Sequence, residues 1–201
     1  ITGEEIRPME PIKGFRTVSG VAAICLVLAL LVGCATTPED EKSPTYQSPP
    51  GTKTTIILLR HGGRDIYSAE ADDPLTWQGR KRAQNLPAVI GDMGVSAIYC
   101  TNLRRNRATA QPLADHLGLK LNLVSQGRLY DYKKLSRELL DEFLTKHAGG
   151  VVVWVGNIRN VEEMYKLLDG TGSPPTEYGD VFIVVVPDVR PPRIKKMTYG
   201  E

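Results

Sequence analysis

The sequence predicts an α/β fold, a three-layer α/β/α sandwich around a largely parallel central sheet of about six strands. Two observations carry this. Short apolar runs of strand length alternate along the chain with longer segments whose apolar residues recur at helical spacing, the pattern of strand–helix units that pair in parallel. The 201 residues are 41% hydrophobic and 24% charged, which suits one packed core with a soluble surface.

The elements follow in order. Thr54–Leu59 (TTIILL) reads as a buried first strand, and a helix is expected over Trp77–Ile90. Ser96–Cys100 is the second strand. Leu103–Leu117 follows as a helix, with Leu103, Ala110, Leu113, Ala114 and Leu117 on one face. Leu119–Val124 is a third strand, and Leu135, Leu139, Leu140, Phe143 and Leu144 mark an amphipathic helix stopped near Gly149. Val151–Val155 is a wholly apolar strand. A helix is expected from about Asn160, capped by Asn160 with Glu163 and buried through Val161, Met164 and Leu168. Val181–Val186 and the more polar Arg193–Tyr199 close the sheet, the latter at an edge.

Ahead of this domain, assigned to residues 54–201, the chain changes character. Residues 35–53, ATTPEDEKSPTYQSPPGTK, hold four prolines and almost nothing apolar, and read as a flexible tether. The run VAAICLVLALLVGC is too short for a comfortable membrane span but fits a signal-peptide core, with Lys13 and Arg16 as its basic flank. Leu31-Val32-Gly33-Cys34 resembles the lipobox of bacterial lipoproteins. That resemblance implies a signal peptide over 1–33, an acylated Cys34 and, with Ala35 following, an outer-membrane address facing the periplasm. An ordinary signal peptide or an uncleaved anchor are the alternatives. Met9 is the expected start, with residues 1–8 an over-long reading of the gene.

A net charge of +2 gives no push toward nucleic acid, and the basic clusters GRKRAQ and RRNRA read as solvated helix faces. Cysteines stand at 25, 34 and 100, so the folded part retains one thiol, Cys100, expected to be buried and inert. Three histidines far apart in sequence and no paired ligand spacing argue against a metal, and no nucleotide-type glycine-rich loop implies a cofactor.

Chemistry concentrates where the first strand ends, in LLRHGG. Parallel sheets gather ligands at the carboxyl ends of their strands, and Arg60, His61 and Gly62 sit there. Taken alone, this could also be a loop with a satisfied histidine. LLRHGG resembles the Arg-His-Gly signature of the histidine phosphatase (phosphoglycerate mutase-like) superfamily. DPLTWQGRKRAQNL is similar to that family's Pro-Leu-Thr-x-x-Gly-x-x-x-Ala segment. IYCTNLRRNRATAQPLADHLGL is similar to its strand–helix element, in which an arginine precedes a Thr-Ala pair. VVVWVGNIRNVEEMYKLL and EYGDVFIVVV resemble its last strands, so the likeness runs in order from about Thr54 to Gly200.

The resemblance implies roles. His61 would be the nucleophile that forms a phosphohistidine, neutral, with one ring nitrogen at phosphorus and the other tied to loop backbone. Arg60 and Arg105 would fork onto the phosphoryl oxygens, with Arg104 and Arg107 left on the surface. Asp131 takes the place of the family's leaving-group acid, with Glu138 and Asp65 as rivals. Where the family has Gly-His, this chain has Gly156-Asn157, so Asn157 would offer an amide donor in place of a second histidine. Arg159 is a candidate to swing into that position. His116 and His147 lie late in helices, away from the site. The segment Asp65–Asp73 would line the pocket mouth.

Three functional readings result: a slow phosphatase acting on a phosphorylated small molecule, a pseudoenzyme that binds phosphate or a phospholigand, and a structural lipoprotein. A mutase is disfavoured by the short folded part, which leaves little room for a lid.

Overall fold

The computed structural model describes residues 46–126, 131–189 and 191–200. The expected signal peptide, Met9, Cys34 and the first part of the tether lie outside the described residues. Among the described residues no helix is long and apolar enough to cross a membrane.

The elements are β1 (Lys53–Arg60), α1 (Trp77–Ile90), β2 (Val95–Thr101), α2 (Arg104–Leu117), β3 (Leu121–Val124), α3 (Tyr132–Lys146), β4 (Val151–Gly156), α4 (Ile158–Leu167), β5 (Asp180–Pro187) and β6 (Arg193–Thr198). They form one six-stranded sheet in the order β3-β2-β4-β1-β5-β6. β3, β2, β4 and β1 pair in parallel, while β5 runs against both β1 and β6. The expected largely parallel α/β sandwich is the fold.

The period-two alternation of the strands builds the three layers. Ile56, Leu58, Tyr99, Trp154 and Phe182 point to one face and pack under Leu140 and Phe143 of α3 and Met164 of α4. Ile57, Leu59, Ile98, Val153 and Val155 point to the other, under Leu86 and Ile90 of α1 and Leu113 of α2. Complete burial of such side chains stabilises by about 1.5–3 kcal/mol each, so the central strands hold the fold together from both sides. Cys100 lies on the second face, wholly buried, with its thiol pushed up to about 12 by burial, the inert state expected of it.

Three boundaries differ from the sequence expectation by more than one residue. β3 begins at Leu121, not Leu119, because α2 closes on Gly118 in the left-handed region (φ 66°) and the Leu119 N–H is still bonded to Ala114 O. α4 begins a turn earlier than Asn160, with Asn157 as its cap, and the Asn157 N–H donates to Asn160 Oδ1 at 3.4 Å. The end of the expected tether is docked on the domain. Tyr46 is buried in the first cluster, and Ser48 Oγ donates to Val186 O at 2.6 Å while accepting from Thr54 N–H at 2.9 Å.

Candidate functional site

The end of β1 is pressed into shape by two glycines. A Cβ on Gly62 would lie 2.6 Å from Gly79 O, and one on Gly79 would lie 2.5 Å from Gly63 O, so the loop after His61 and the first turn of α1 meet backbone to backbone. Thr76 caps α1, its hydroxyl accepting from Gly79 N–H at 2.9 Å. Thr109 on α2 fastens the other side: its Oγ1 accepts from Gly62 N–H at 2.9 Å and donates to Arg105 O at 2.8 Å. The Pro-Leu-Thr-x-x-Gly and Thr-Ala segments thus have one physical task, to fix the backbone carrying His61.

Above this backbone is a hollow of about 260 Å³. Arg60, His61, Arg105 and Asn157 all line it, joined by Arg64 and Gln126. They arrive from the carboxyl ends of the four parallel strands: His61 follows β1, Arg105 follows β2, Gln126 follows β3 and Asn157 follows β4. Arg60, His61 and Arg105 thus share one hollow.

His61 is only 3% exposed. Burial, then the charges of Arg105, Arg60 and Arg64, lower its pKa from 6.5 to about 3, so the ring is neutral at any ordinary pH. Its Nδ1 is buried without a hydrogen-bond partner among the described residues. The expected tie from the ring to loop backbone is therefore not made; the loop is held by Thr109 at Gly62 N–H instead. The Tyr178 ring stands beside the imidazole, centroids 5.6 Å apart.

Arg60 Nη1 donates to Thr176 O at 2.8 Å and Nη2 to Tyr178 Oη at 2.9 Å, with its guanidinium carbon 3.9 Å from the Tyr178 ring centroid. Its Nε has no partner among the described residues. Arg105 Nε and Nη2 donate to Asn157 Oδ1 at 3.3 and 3.1 Å, and Nη1 lies 3.7 Å from Asp72 Oδ1. Burial lowers the pKa of both guanidiniums, which nonetheless stay cationic. Arg64, more exposed, pairs with Asp73 at 2.7 Å.

Not every expected residue joins them. Asp131 does not line the hollow; it is an exposed N-cap of α3, its carboxylate accepting from the N–H groups of Lys134 at 3.1 Å and Lys133 at 2.9 Å, which hold its pKa below the usual value. Glu138 lies on the solvent face of α3 beside Lys134, and Asp65 caps its own turn through Tyr67 N–H. The Asn157 amide also departs from expectation: its NH₂ donates to Gln126 Oε1 at 2.8 Å and its oxygen faces Arg105. Arg159 lines the hollow from the first turn of α4, its guanidinium 5.8 Å over Tyr132. Arg104 and Arg107 are on the surface, the former paired with Glu70. His147 caps the end of α3 and contacts Tyr99 Oη at 2.9 Å.

Asp72, 3.7 Å from Arg105 Nη1, belongs to the segment expected at the pocket mouth, whereas Tyr178, Gln126 and Arg64 were not anticipated at the site. Arg64 alone had a signal, three residues after the nucleophile candidate on the same strand end. The others sit in irregular segments without periodicity. Among the described residues no group of three or more His, Cys, Asp or Glu side chains could hold a metal ion.

Comparison with known proteins agrees with this geometry. The family model of the histidine phosphatase superfamily (branch 1) matches residues 56–160. The probable phosphoglycerate mutase GpmB of Enterobacter sp. strain 638 is 25% identical over 120 residues, 57% of this chain and 54% of its own length. The match thus spans about half the length of that relative. Among solved structures, the protein histidine phosphatase SixA complexed with tungstate aligns with 72% of this chain and 96% of its own, at a TM-score of 0.56 and 16% identity. A phosphoglycerate mutase from Bacillus anthracis str. Sterne aligns with 78% of this chain and 95% of its own, at 0.56 and 16%. A mycobacterial glucosyl-3-phosphoglycerate phosphatase in complex with inorganic phosphate aligns with 73% and 97%, at 0.53 and 17%. At these identities the structural likeness speaks for the fold.

Proposed function

Because the chain belongs to the histidine phosphatase superfamily, branch 1, we propose that it is a phosphomonoesterase working through a phosphohistidine at His61. One observation carries the reading: a neutral, buried imidazole shares a hollow with Arg60 and Arg105. With Nδ1 closed off, the Nε2 lone pair is the one that attacks phosphorus. The P–N bond forms as the ester P–O bond breaks, and that electron pair leaves on the alcohol oxygen. Water then adds at phosphorus, the P–N bond returns its pair to the ring, and inorganic phosphate departs. Arg60 and Arg105 hold the equatorial oxygens through both steps, where two fixed guanidiniums match a dianion.

An aryl phosphate is the right probe, since its oxygen leaves without help from an acid. Full-length protein is expected to hydrolyse it slowly without added metal, and ³²P-labelled substrate to leave an acid-labile, base-stable label on the protein. His61→Ala should lose both. Unchanged turnover in that variant would remove His61 from the mechanism.

A second reading has its own support. The Asn157 NH₂ is directed to Gln126, Asp131 caps a helix, and no carboxylic acid among the described residues lines the hollow. That arrangement favours a module that binds phosphate or a phospholigand without turning it over. Thermal protection by phosphate in the absence of any turnover would select it.

We further propose that the domain is held at the bacterial envelope by an acylated Cys34, a reading supported by the Leu31-Val32-Gly33-Cys34 tetrad. Labelled palmitate should enter the wild-type protein and not Cys34→Ser.

A further inference from the structure

Arg105 imposes a direction on the side chains beside it. A guanidinium can only donate hydrogen bonds, so the Asn157 amide meets it oxygen first, at 3.1 and 3.3 Å. The Asn157 NH₂ is thereby turned onto Gln126 Oε1 at 2.8 Å. That bond orients the second amide in turn: with its oxygen toward Asn157, Gln126 directs its own NH₂ elsewhere. Gln126 lines the hollow, and its NH₂ takes no part in the bond to Asn157. The backbone beneath is pinned. Gln126 N–H donates to Asn102 Oδ1 at 3.1 Å, and Asn102 N–H donates to Val124 O at 2.9 Å, tying residue 126 to the ends of β2 and β3.

We propose that Gln126 supplies a hydrogen-bond donor to the transferring phosphoryl group, the part that Asn157 leaves open because its own amide joins Arg105 to Gln126. The inference rests on the reading of this hollow as a phosphoryl site. Arg105, Asn157 and Gln126 then act as one polarised chain. The guanidinium sets the sense of both amides, and the last amide presents two N–H groups without adding a charge beside His61. An uncharged donor has a use here: a third close cation would hold the product phosphate more tightly, and the ring is already surrounded by three.

The test uses inorganic phosphate and the full-length protein. Gln126→Met keeps the chain length and removes both polar groups; phosphate binding, measured by calorimetry, should weaken roughly tenfold or more with the melting temperature unchanged. Gln126→Glu keeps the acceptor for Asn157 and loses the donor, and should bind still more weakly. In the wild-type protein the Gln126 side-chain amide protons should move downfield in step with phosphate occupancy, a readout that needs no variant to fold. A glutamine that merely orients Asn157 leaves its amide signal stationary as phosphate binds, and that result overturns the proposal. Equal phosphate binding by wild type and Gln126→Met overturns it while leaving the phosphoryl reading standing. Wild-type protein that takes up no phosphate removes that reading and the proposal together.

Discussion

His61 is held neutral down to about pH 3 in the folded chain against an ordinary value of 6.5. Between those values the unfolded chain takes up a proton that the folded one refuses, so stability is full above about pH 6.5 and falls as pH drops toward 3. The slope approaches about 1.4 kcal/mol per pH unit. Urea unfolding at pH 7 and pH 5 should show the wild type losing about 1–2 kcal/mol more than His61→Gln; equal losses would mean that the ring is not strained against its charge. Saturating phosphate should flatten the difference, because a dianion offsets the guanidiniums. His61, Arg60 and Arg105 could be read from the sequence because a strand end and a family motif coincide there. Gln126 and Tyr178 could not, since their place at the site depends on contacts between segments distant in the chain. Asp131 stands at the start of α3 for a physical reason that the sequence does contain: an aspartate directly before an amphipathic helix is first of all an N-cap.

The segment joining β1 to α1 folds back on itself as one element. Asp65 N–H donates to Pro74 O at 2.9 Å, Thr76 N–H to Gly63 O at 3.0 Å, and Arg64 bridges to Leu75. Its acidic end reaches the site, where Asp72 accepts from Arg104 N–H at 2.8 Å and stands 3.7 Å from Arg105 Nη1. An incoming dianion therefore competes with Asp72 for Arg105. With Asp72 40% exposed the pair is weakly coupled, and Asp72→Asn should tighten phosphate binding by up to about fivefold at low salt, with the gain fading as salt rises. Calorimetry at two ionic strengths checks it, and an affinity that does not rise would place the carboxylate outside the competition. The root of the same element is rigid. Gly79→Ala, which must displace Gly63 O from 2.5 Å, should cost about 1–3 kcal/mol in urea unfolding. Periodicity located the helix after this segment, from Trp77 to Ile90, because an apolar stripe leaves a trace in sequence. The segment's own path leaves none, as its bonds run from backbone to backbone.

Over the whole domain the two ends of β1 have separate tasks. Its carboxyl end opens into the hollow. Its amino end receives the N-terminal chain, which does not simply hang from it: Tyr46 is 7% exposed, and Ser48 sits between Thr54 and Val186. Composition alone assigned these residues to a tether, since prolines and small polar side chains look the same whether they are solvated or laid on a sheet. The distinction is a matter of stability. A residue in a solvated linker changes stability by no more than about 0.5 kcal/mol when replaced. Ser48→Ala instead strands the buried Thr54 N–H and should cost about 1–3 kcal/mol. Tyr46→Ala removes a large side chain from the cluster around Phe143 and Trp154 and should cost at least as much. If urea unfolding of both variants stays within about 0.5 kcal/mol of wild type, the fold begins at Lys53 and the contacts before it carry no weight. If both lose the expected amounts, the chain from Tyr46 to Thr52 belongs to the domain and not to a tether.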